Sequence, residues 1–406
     1  MMELLAPAGD FKKLKTAIHF GADAVYASGN NYGLRKGAKN FSDDGLKEAV
    51  DYCHSKDKKF YVTCNIVAHN SDFEGLDKYL KFLDDIGVDA VIVSDPGIIC
   101  FCRDILKHTE IHLSTQANAT NKYTVKFWAE CGVKRVVLAR ELSVAEIKEI
   151  SEFVPNVELE AFVHGAMCVS HSGRCLLSNF LTHRDGNRGD CVQACRWEYA
   201  IHEVNNDKRQ LFLSEDERGS YILNSKDLNM LANIKDLIDA GVTSFKIEGR
   251  MKSQYYVGTV INAYRKGLDA FLQKGQNSVP KYLLDELNKI AHRDYTTGFY
   301  YGDSDNISYE NNQTAGEYEF MAEVIDYDDT KGGIWIEQRN RFAVCDSLEI
   351  LSASDDLLNK IIKIEIMENV DGELVEDAKL VQQKLFIKTE YHLSKRDILR
   401  KKVVKC

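Results

Sequence analysis

Short apolar segments alternate with amphipathic segments from the first residues to about position 310. Each apolar segment has the length of a β-strand, and the amphipathic segments repeat their apolar positions at the helical period. Repeated strand–helix units predict parallel strands joined by right-handed crossovers. The predicted strands are Glu3–Ala6, Ala24–Ala27, Phe60–Asn65, Ala90–Ser94, Ile111–Gln116, Arg135–Arg140, Val157–His164 and Ser244–Glu248. Eight such strands predict a (β/α)8 barrel, with a doubly wound open sheet as the competing architecture.

Alternation within the strands favours the closed barrel. In the seventh strand, one face is apolar and is predicted to meet the helices, and the other is more polar and is predicted to line the lumen. The two faces are Val157, Leu159, Ala161 and Val163, and Glu158, Glu160, Phe162 and His164. Strands of open parallel sheets are buried on both faces and usually read as continuous apolar runs. We therefore expect a barrel with a polar upper lumen.

The pattern changes near Asn311 to alternating β segments without helical partners, and Asp328–Gly333 is typical of a hairpin turn. This predicts a barrel domain over residues 1–310 and a small all-β barrel domain over 311–406. An amphipathic stretch at Asp227–Ala240 predicts a helix before the last barrel strand. The end of the chain is basic, which indicates either a solvated tail or a phosphate contact. Its cations are Lys395, Arg396, Arg400, Lys401, Lys402 and Lys405.

The charge, the cysteine count and the lengths of the apolar runs each bear on the class of protein expected. The net charge of -10 lowers the expectation of indiscriminate nucleic-acid binding but leaves local basic patches open. The 11 cysteines are odd in number, and no signal-peptide pattern follows Met1, so we expect a reducing cytoplasm and no disulfide framework. No apolar run is long enough to predict a membrane span.

Four of the cysteines fall within 28 residues, in a long connection after the seventh strand (165–225) that has neither strand nor helix periodicity. They are Cys168, Cys175, Cys191 and Cys195. Four converging thiolates suit zinc or an iron–sulfur cluster. Structural zinc sites normally pair their cysteines in tight knuckles, which only the last two approach. Unligated or redox-active thiols remain a third interpretation, and the other seven cysteines are scattered singly.

The cysteine segment also carries positive charge and aromatic surface. Four arginines outnumber two aspartates and could balance an anionic cluster or hold an anionic substrate. Trp197 and Tyr199 could stack on a base or could simply pack. The arginines are Arg174, Arg184, Arg188 and Arg196.

Residues at the carboxyl ends of barrel strands form the active face of such a fold. By position, we expect substrate contacts from Asn65, Gln116, Arg140, Arg174 and Arg250. Glu160 and His164 are candidates for a general acid and base. Alternatively, Lys246 or Arg250 neutralises Glu160, and His164 is a hydrogen-bonded core residue or orients the Cys168 loop. No H-E-x-x-H, G-x-S-x-G or Walker pattern is present in the sequence.

The run from Glu160 to Cys168, continued by Gly173–Ser178, resembles the signature of the peptidase U32 family, the collagenase-like proteases. Every fixed position of that pattern is present. The resemblance extends to Leu5–Gly9, Ser225–Leu228 and Lys246–Arg250. Within the family, Asn187–Cys191 together with Cys195-Arg196-Trp197 is most similar to the tRNA hydroxylation branch.

The resemblance implies a cytoplasmic enzyme that forms 5-hydroxyuridine at the wobble position of tRNA without oxygen. It implies a [4Fe–4S] cluster on Cys168, Cys175, Cys191 and Cys195, with zinc as the alternative from spacing. Some relatives have a cysteine where this chain has Asn229, so Cys195 is the better fourth ligand. The implied partners are the anticodon region of tRNA and a small dicarboxylate, prephenate. The alternatives are a U32-type peptidase and a cluster- or zinc-stapled RNA-binding protein.

Overall fold

Parallel strands and helices alternate through the first three hundred residues of the computed structural model. The structure describes residues 2–34, 39–197, 225–302 and 316–403, and the backbone of a short hairpin at 215–216 and 219–220. The strands of this part are β1 (Glu3–Pro7), β2 (Ala24–Ala27), β3 (Lys59–Cys64), β4 (Ala90–Val93), β5 (Glu110–Leu113), β6 (Arg135–Val137), β7 (Glu158–Ala166), β8 (Glu215–Asp216), β9 (Gly219–Ser220), β10 (Asp227–Asn229), β11 (Ser244–Ile247) and β12 (Tyr295–Thr296).

Within the described residues, β1 to β7 and β11 form a closed barrel of eight parallel strands, because β11 pairs with both β1 and β7. The predicted (β/α)8 barrel is confirmed, and an open sheet is excluded by that closure. The helices are α1 (Phe11–His19), α2 (Asp43–His54), α3 (Leu76–Asp85), α4 (Pro96–Ile105), α5 (Lys122–Glu130), α6 (Val144–Phe153), α7 (Leu177–Thr182), α8 (Ile234–Asp239), α9 (Gln254–Leu272) and α10 (Lys281–Asn288).

Polar side chains fix where many of these helices begin. Asp10, Ser42, Asp95, Ser143 and Ser253 each accept a hydrogen bond from a backbone N–H in the first turn of the following helix. Such caps satisfy donors that the helix itself cannot pair. None of the helices in the described part of the chain has both the length and the apolar character that crossing a membrane requires.

Two predicted elements differ from the structure in an informative way. Asp227–Ala240 is not one helix: its first residues form β10, which pairs antiparallel with the upper end of β7, and helix α8 begins only at Ile234. The predicted fifth strand, Ile111–Gln116, ends at Leu113 because a 3-10 turn follows at Thr115–Ala117. Pairing with β7 overrides the helical pattern in the first case, and a local turn ends the strand in the second.

The C-terminal part forms an antiparallel sheet in the order β17-β16-β21-β13-β14-β20-β18, with a separate β15–β19 pair. Its own apolar core includes Ile334, Ile336 and Leu385. The predicted hairpin is confirmed, since Asp328 pairs with Gly333 across the turn. The strands are β13 (Tyr318–Asp328), β14 (Gly333–Gln338), β15 (Phe342–Ala343), β16 (Ser347–Leu351), β17 (Ile361–Lys363), β18 (Met367–Glu368), β19 (Asp377–Ala378), β20 (Lys384–Lys388) and β21 (Ile398–Lys402).

A buried arginine joins this sheet to the barrel domain. Arg400 of β21 is fully buried. Its Nη2 donates to Glu286 Oε1 of α10 at 3.0 Å, to Glu349 Oε1 of β16 at 2.7 Å and to Asn359 Oδ1 at 2.7 Å. The interpretation of the basic tail as solvated or phosphate-binding is therefore wrong for Arg400. Lys401 pairs with Asp346 at 2.7 Å, and Lys405 lies outside the described residues.

We expect Arg400→Leu to lower the free energy of unfolding by about 3 to 5 kcal/mol, because Lys289 would then be the one cation left to balance the two carboxylates of Glu286 and Glu349 in the described part of the chain. Lys402→Leu is the matched control, since Lys402 lies on the same strand and is exposed. Urea unfolding followed by tryptophan fluorescence measures both variants. Equal losses in the two would contradict a structural role for the Arg400 network.

Candidate functional site

The cysteine segment leaves the barrel at the end of β7 through a tight backbone approach. Gly165 has a φ of +106°, and a Cβ at this position would lie 2.4 Å from the carbonyl oxygen of Glu248. Only glycine fits both constraints without strain. Cys168 follows two residues after β7, Cys175 precedes α7, and Cys195 lies in a 3-10 turn at Ala194–Arg196.

Polar contacts hold this segment against the loops that follow β3 and β6. Arg188 makes a bidentate ion pair with Asp72, with distances of 2.5 and 2.7 Å. The hydrogen bond from Arg188 lowers the pKa of Asp72 to about 2. Ser172 donates to Glu141 from its backbone N–H at 2.6 Å and from its hydroxyl at 3.1 Å. These loops lie at the carboxyl ends of barrel strands, so the segment covers the barrel mouth.

All four clustered cysteines line one cavity of about 230 Å³. Two sulfur atoms accept backbone hydrogen bonds: Leu177 N donates to Cys175 Sγ and Gln193 N to Cys191 Sγ, each at 3.4 Å. The Asn187 side chain bonds both the N–H and the carbonyl of Cys175, at 3.1 and 3.0 Å. The loop conformation thus directs these thiols toward a common space.

The thiols surround this cavity without meeting at one point. In the described ranges, no three His, Cys, Asp or Glu side chains are grouped closely enough to share a single metal ion. Burial raises the pKa of the Cys195 thiol, Arg196 lowers it, and the negative charges of the other three cysteines add to the rise, so that the net direction is upward. The influence of the other three cysteines on Cys195 shows that the four thiols are near neighbours.

A second, smaller cavity of about 60 Å³ lies in the barrel lumen and shares Gln116, Arg140 and Glu248 with the first. Asn65, Gln116, Arg140 and Arg250 all line it, and the substrate contacts expected of them stay a prediction. Arg174, predicted with them, is exposed and lines neither cavity. The shared residues place the two cavities next to each other.

The side chains of the lumen cavity are held by specific contacts. Asn65 Nδ2 donates to Ser114 Oγ and Gln116 Oε1, both at 3.2 Å, and Asn65 Oδ1 has no hydrogen-bond partner in the described part of the chain. Arg140 Nη1 donates to the Ala166 carbonyl at 3.0 Å, and its guanidinium lies 3.9 Å from the centre of the Phe162 ring. Arg250 Nη2 donates to Asn40 Oδ1 at 2.7 Å. The cavity therefore presents fixed polar groups.

Two models of one family match nearly the whole chain: peptidase family U32 over residues 9–310, and the peptidase family U32 C-terminal domain over residues 316–400. The chain belongs to peptidase family U32.

Relatives of this U32 protein carry different names. It is 42% identical over 406 residues to tRNA hydroxylation protein P1 of Bacillus subtilis, covering 98% of this chain and 94% of that protein. It is 40% identical over 305 residues to the 23S rRNA 5-hydroxycytidine C2501 synthase of Escherichia coli, covering 73% of this chain and 45% of that protein. It is 32% identical over 312 residues to a collagenase of Porphyromonas gingivalis, covering 74% and 73%.

Glu160 of this U32 protein lies in a buried ion-pair network and lines neither cavity. Lys246 Nζ is 2.7 Å from Glu160 Oε1, and Arg135 Nη1 is 3.3 Å from Glu160 Oε2. Burial acts to raise the pKa of Glu160, but the charges of Lys246 and Arg135 outweigh it and the net direction is downward. This placement favours the alternative in which Glu160 is neutralised by Lys246 over a general acid or base.

His164 does not face the lumen, and the prediction that it does is wrong. A register shift pairs Phe162 with Lys246 but His164 with Ile247, so β7 carries one extra residue there. Such a bulge turns the following side chain to the other face. His164 packs against Tyr256 and Tyr264 of α9, is fully buried and lines neither cavity. Burial lowers its pKa to about 3, so it is neutral.

Two features of the site were not predicted. Asp227 and Arg293 form a buried pair, with Arg293 Nε 3.0 Å from Asp227 Oδ1. Lys252 lines the cysteine cavity beside Arg196. The sequence contained two signals for these residues: Asp227 lies in the Ser-Lys-Asp-Leu run, and Lys252 lies just beyond the last barrel strand. Residue spacing does not show, however, which distant segments pair with each other.

We expect Glu160→Gln to lower the free energy of unfolding by about 3 kcal/mol or more, because Arg135 and Lys246 would lose a buried counter-charge. Glu158→Gln is the matched control, since Glu158 also pairs with Arg135 but is partly exposed. Thermal and urea unfolding would show the difference. If both variants were equally stable, the charge-balancing role of Glu160 would be refuted.

Proposed function

We propose that this U32 protein is a cytoplasmic RNA hydroxylase that forms 5-hydroxyuridine at the wobble position of tRNA without molecular oxygen. One observation carries the proposal: four cysteines from a long connection line a cavity that adjoins a polar pocket of the barrel lumen. The names of the Bacillus and Escherichia relatives, a tRNA hydroxylation protein and an rRNA hydroxycytidine synthase, support this reading over the others.

The donor set fits a [4Fe–4S] cluster held by Cys168, Cys175, Cys191 and Cys195. Four cysteine thiolates are the usual ligand set of such a cluster. All four thiols line one cavity, and two of them accept backbone N–H bonds, a feature that tunes the potential of iron–sulfur centres. When bound, such a cluster supplies one-electron transfer and iron sites next to the lumen pocket.

The chain's own residues would bind and orient the reactants. Exchanging the C5–H of uridine for C5–OH adds one oxygen atom and removes two electrons from the base, so a co-substrate must provide the oxygen and an acceptor must take the electrons. For a dicarboxylate such as prephenate, Arg140 and Arg250 are the natural clamp, because both line the lumen cavity. Asn65 and Gln116 offer amide groups for the rest of the ligand.

The target base must leave its stack to reach this space, as in other enzymes that act on a nucleobase. The shared residue Arg140 lies between the two cavities, with its guanidinium against Phe162. Arg140 would contact a co-substrate in the lumen cavity and a base in the cysteine cavity. Water exclusion would come from the cysteine segment, which the Arg188–Asp72 pair holds over the barrel mouth.

Peptidase activity is the second reading, and the name of the Porphyromonas relative favours it. Among the described residues that line the cysteine cavity, no histidine is present to activate a thiol or hydroxyl. Ser172 and Ser178, which also line it, are engaged with Glu141 and with the Asp190 carbonyl. A cluster- or zinc-stapled RNA-binding protein is the third reading.

We expect anaerobically purified protein to contain about four irons and four acid-labile sulfides per chain. Cys168→Ala/Cys175→Ala should lose both, whereas Cys100→Ser, at an exposed cysteine outside the cavity, should retain them. Wobble 5-hydroxyuridine, measured by mass spectrometry of tRNA from a deletion strain, should return with wild type and Cys100→Ser but not with the double variant.

Three results would redirect the proposal. One zinc ion per chain without acid-labile sulfide would indicate that the four cysteines form a structural metal site. Unchanged 5-hydroxyuridine in the deletion strain would contradict the hydroxylase. Cleavage of gelatin by metal-free wild-type protein that persists in every cysteine variant would favour peptidase activity.

A further inference from the structure

The rim of the cysteine cavity combines inward-facing cations with exposed apolar side chains. Arg196 and Lys252 line the cavity. Their chain neighbours Trp197 and Met251 are 42% and 53% exposed, and Met251 also lines the cavity. Phe180 of α7 is 82% exposed, although Ser178 of the same helix lines the cavity. Helix α7, the 3-10 turn at Ala194–Arg196 and the turn after β11 thus each carry an exposed apolar side chain close in sequence to a residue that lines the cavity.

Arg196 and Lys252 share this opening with Glu248, which also lines the cavity. The charge of the buried Asp227 also acts on Lys252, but Arg293 already pairs with Asp227, its Nε and Nη2 lying 3.0 and 2.5 Å from Asp227 Oδ1. In the described part of the chain, neither Arg196 nor Lys252 forms an ion pair with a carboxylate. Burial lowers the pKa of Lys252, Asp227 raises it, and the charges of Arg293 and Arg196 lower it further. The pair Arg196 and Lys252 is therefore suited to an anion.

We propose that this rim is a binding surface for an unpaired RNA segment, with one backbone phosphate held by Arg196 and Lys252 and bases stacked on Phe180 and Trp197. A cationic groove beside aromatic platforms is the general arrangement for single-stranded nucleic acids. The proposal rests on RNA being the substrate. The overall charge of -10 repels a polyanion elsewhere, so a local cationic opening also orients the approach.

RNA fits this rim better than a protein partner does. Stable protein interfaces bury large, contiguous surfaces with few charges at their centre. Here the exposed rings lie near a cavity whose wall carries Arg196 and Lys252, so the centre of the surface is concave and contains charged side chains. A single nucleotide can place its base inside the cavity while its phosphate remains at the rim.

The test measures binding apart from modification. The probe is the isolated anticodon stem-loop of a tRNA with uridine at the wobble position, compared with a fully paired RNA of equal length. Dissociation constants are measured by fluorescence anisotropy over a range of salt concentrations, with anaerobically purified full-length protein. The variants are Phe180→Ala, Phe180→Trp, Lys252→Met and Lys252→Arg. The controls are Tyr123→Ala, at an aromatic residue of α5 that is 67% exposed, and Lys402→Met.

We expect Phe180→Ala to weaken stem-loop binding about tenfold and Phe180→Trp to restore it, because stacking tolerates any flat ring. Lys252→Met should weaken binding and reduce the slope of log affinity against log salt by about one, because one phosphate contact is lost. Lys252→Arg should retain both. The controls and the paired RNA should show little change.

Equal affinity of Phe180→Ala, Lys252→Met and the controls for the stem-loop would overturn the proposal. A shift in the reduction potential of the bound cofactor in Lys252→Met with unchanged RNA affinity would also overturn it, because the cations would then serve the cofactor. If wild type binds the stem-loop and the variants lose binding while no strain makes 5-hydroxyuridine, the rim is supported and the hydroxylase proposal fails. The two failures are therefore distinguishable.

Discussion

The buried charges inside the barrel constrain the rest of the structure. Glu160 of β7 lies between Arg135 of β6 and Lys246 of β11, and Arg135 also pairs with Glu3 of β1 at 2.5 Å. These are the strands that meet where the barrel closes. A slip of one residue in any of them would move a charge to the apolar outer face, at a high cost in free energy. We infer that the network specifies the register of closure more than it adds stability.

When the barrel is closed correctly, the long cysteine segment can start and end at neighbouring backbone positions. Ala166, the last residue of β7, pairs with Asp227 of β10, so the backbone returns to the strand that it left. Ordering a long loop costs less when its ends are fixed together. Arg188, Ser172 and Asn187 fix the intervening part to the mouth, the last through a hydrogen bond from Val67 N at 3.0 Å. The thiols can therefore be positioned without regular secondary structure.

Strand alternation and strand-end positions were sufficient to predict the barrel and to place Asn65, Gln116, Arg140 and Arg250 around one pocket. These properties depend on local period and on a general rule of topology. The rotation of His164 was not predictable, because the bulge that causes it depends on pairing between β7 and β11. The burial of Arg400 was also not predictable from local sequence, since its partners Glu286 and Glu349 lie far away along the chain.

Two cations of the site lie in different surroundings: Arg250 lines the lumen cavity, and Lys252 lines the cysteine cavity. Arg250 is buried in the lumen and bonded to Asn40, so salt screens it weakly and its geometry is fixed. Lys252 lies only two residues farther along the chain, at the wall of the outer cavity, where it is partly exposed. A buried, fixed arginine suits a small ligand that must be held in one orientation, and a partly exposed lysine suits a flexible polymer backbone. The turn after β11 thus supplies one cation to each of two adjacent cavities, so that the proposed co-substrate and the proposed RNA segment would be held by different side chains.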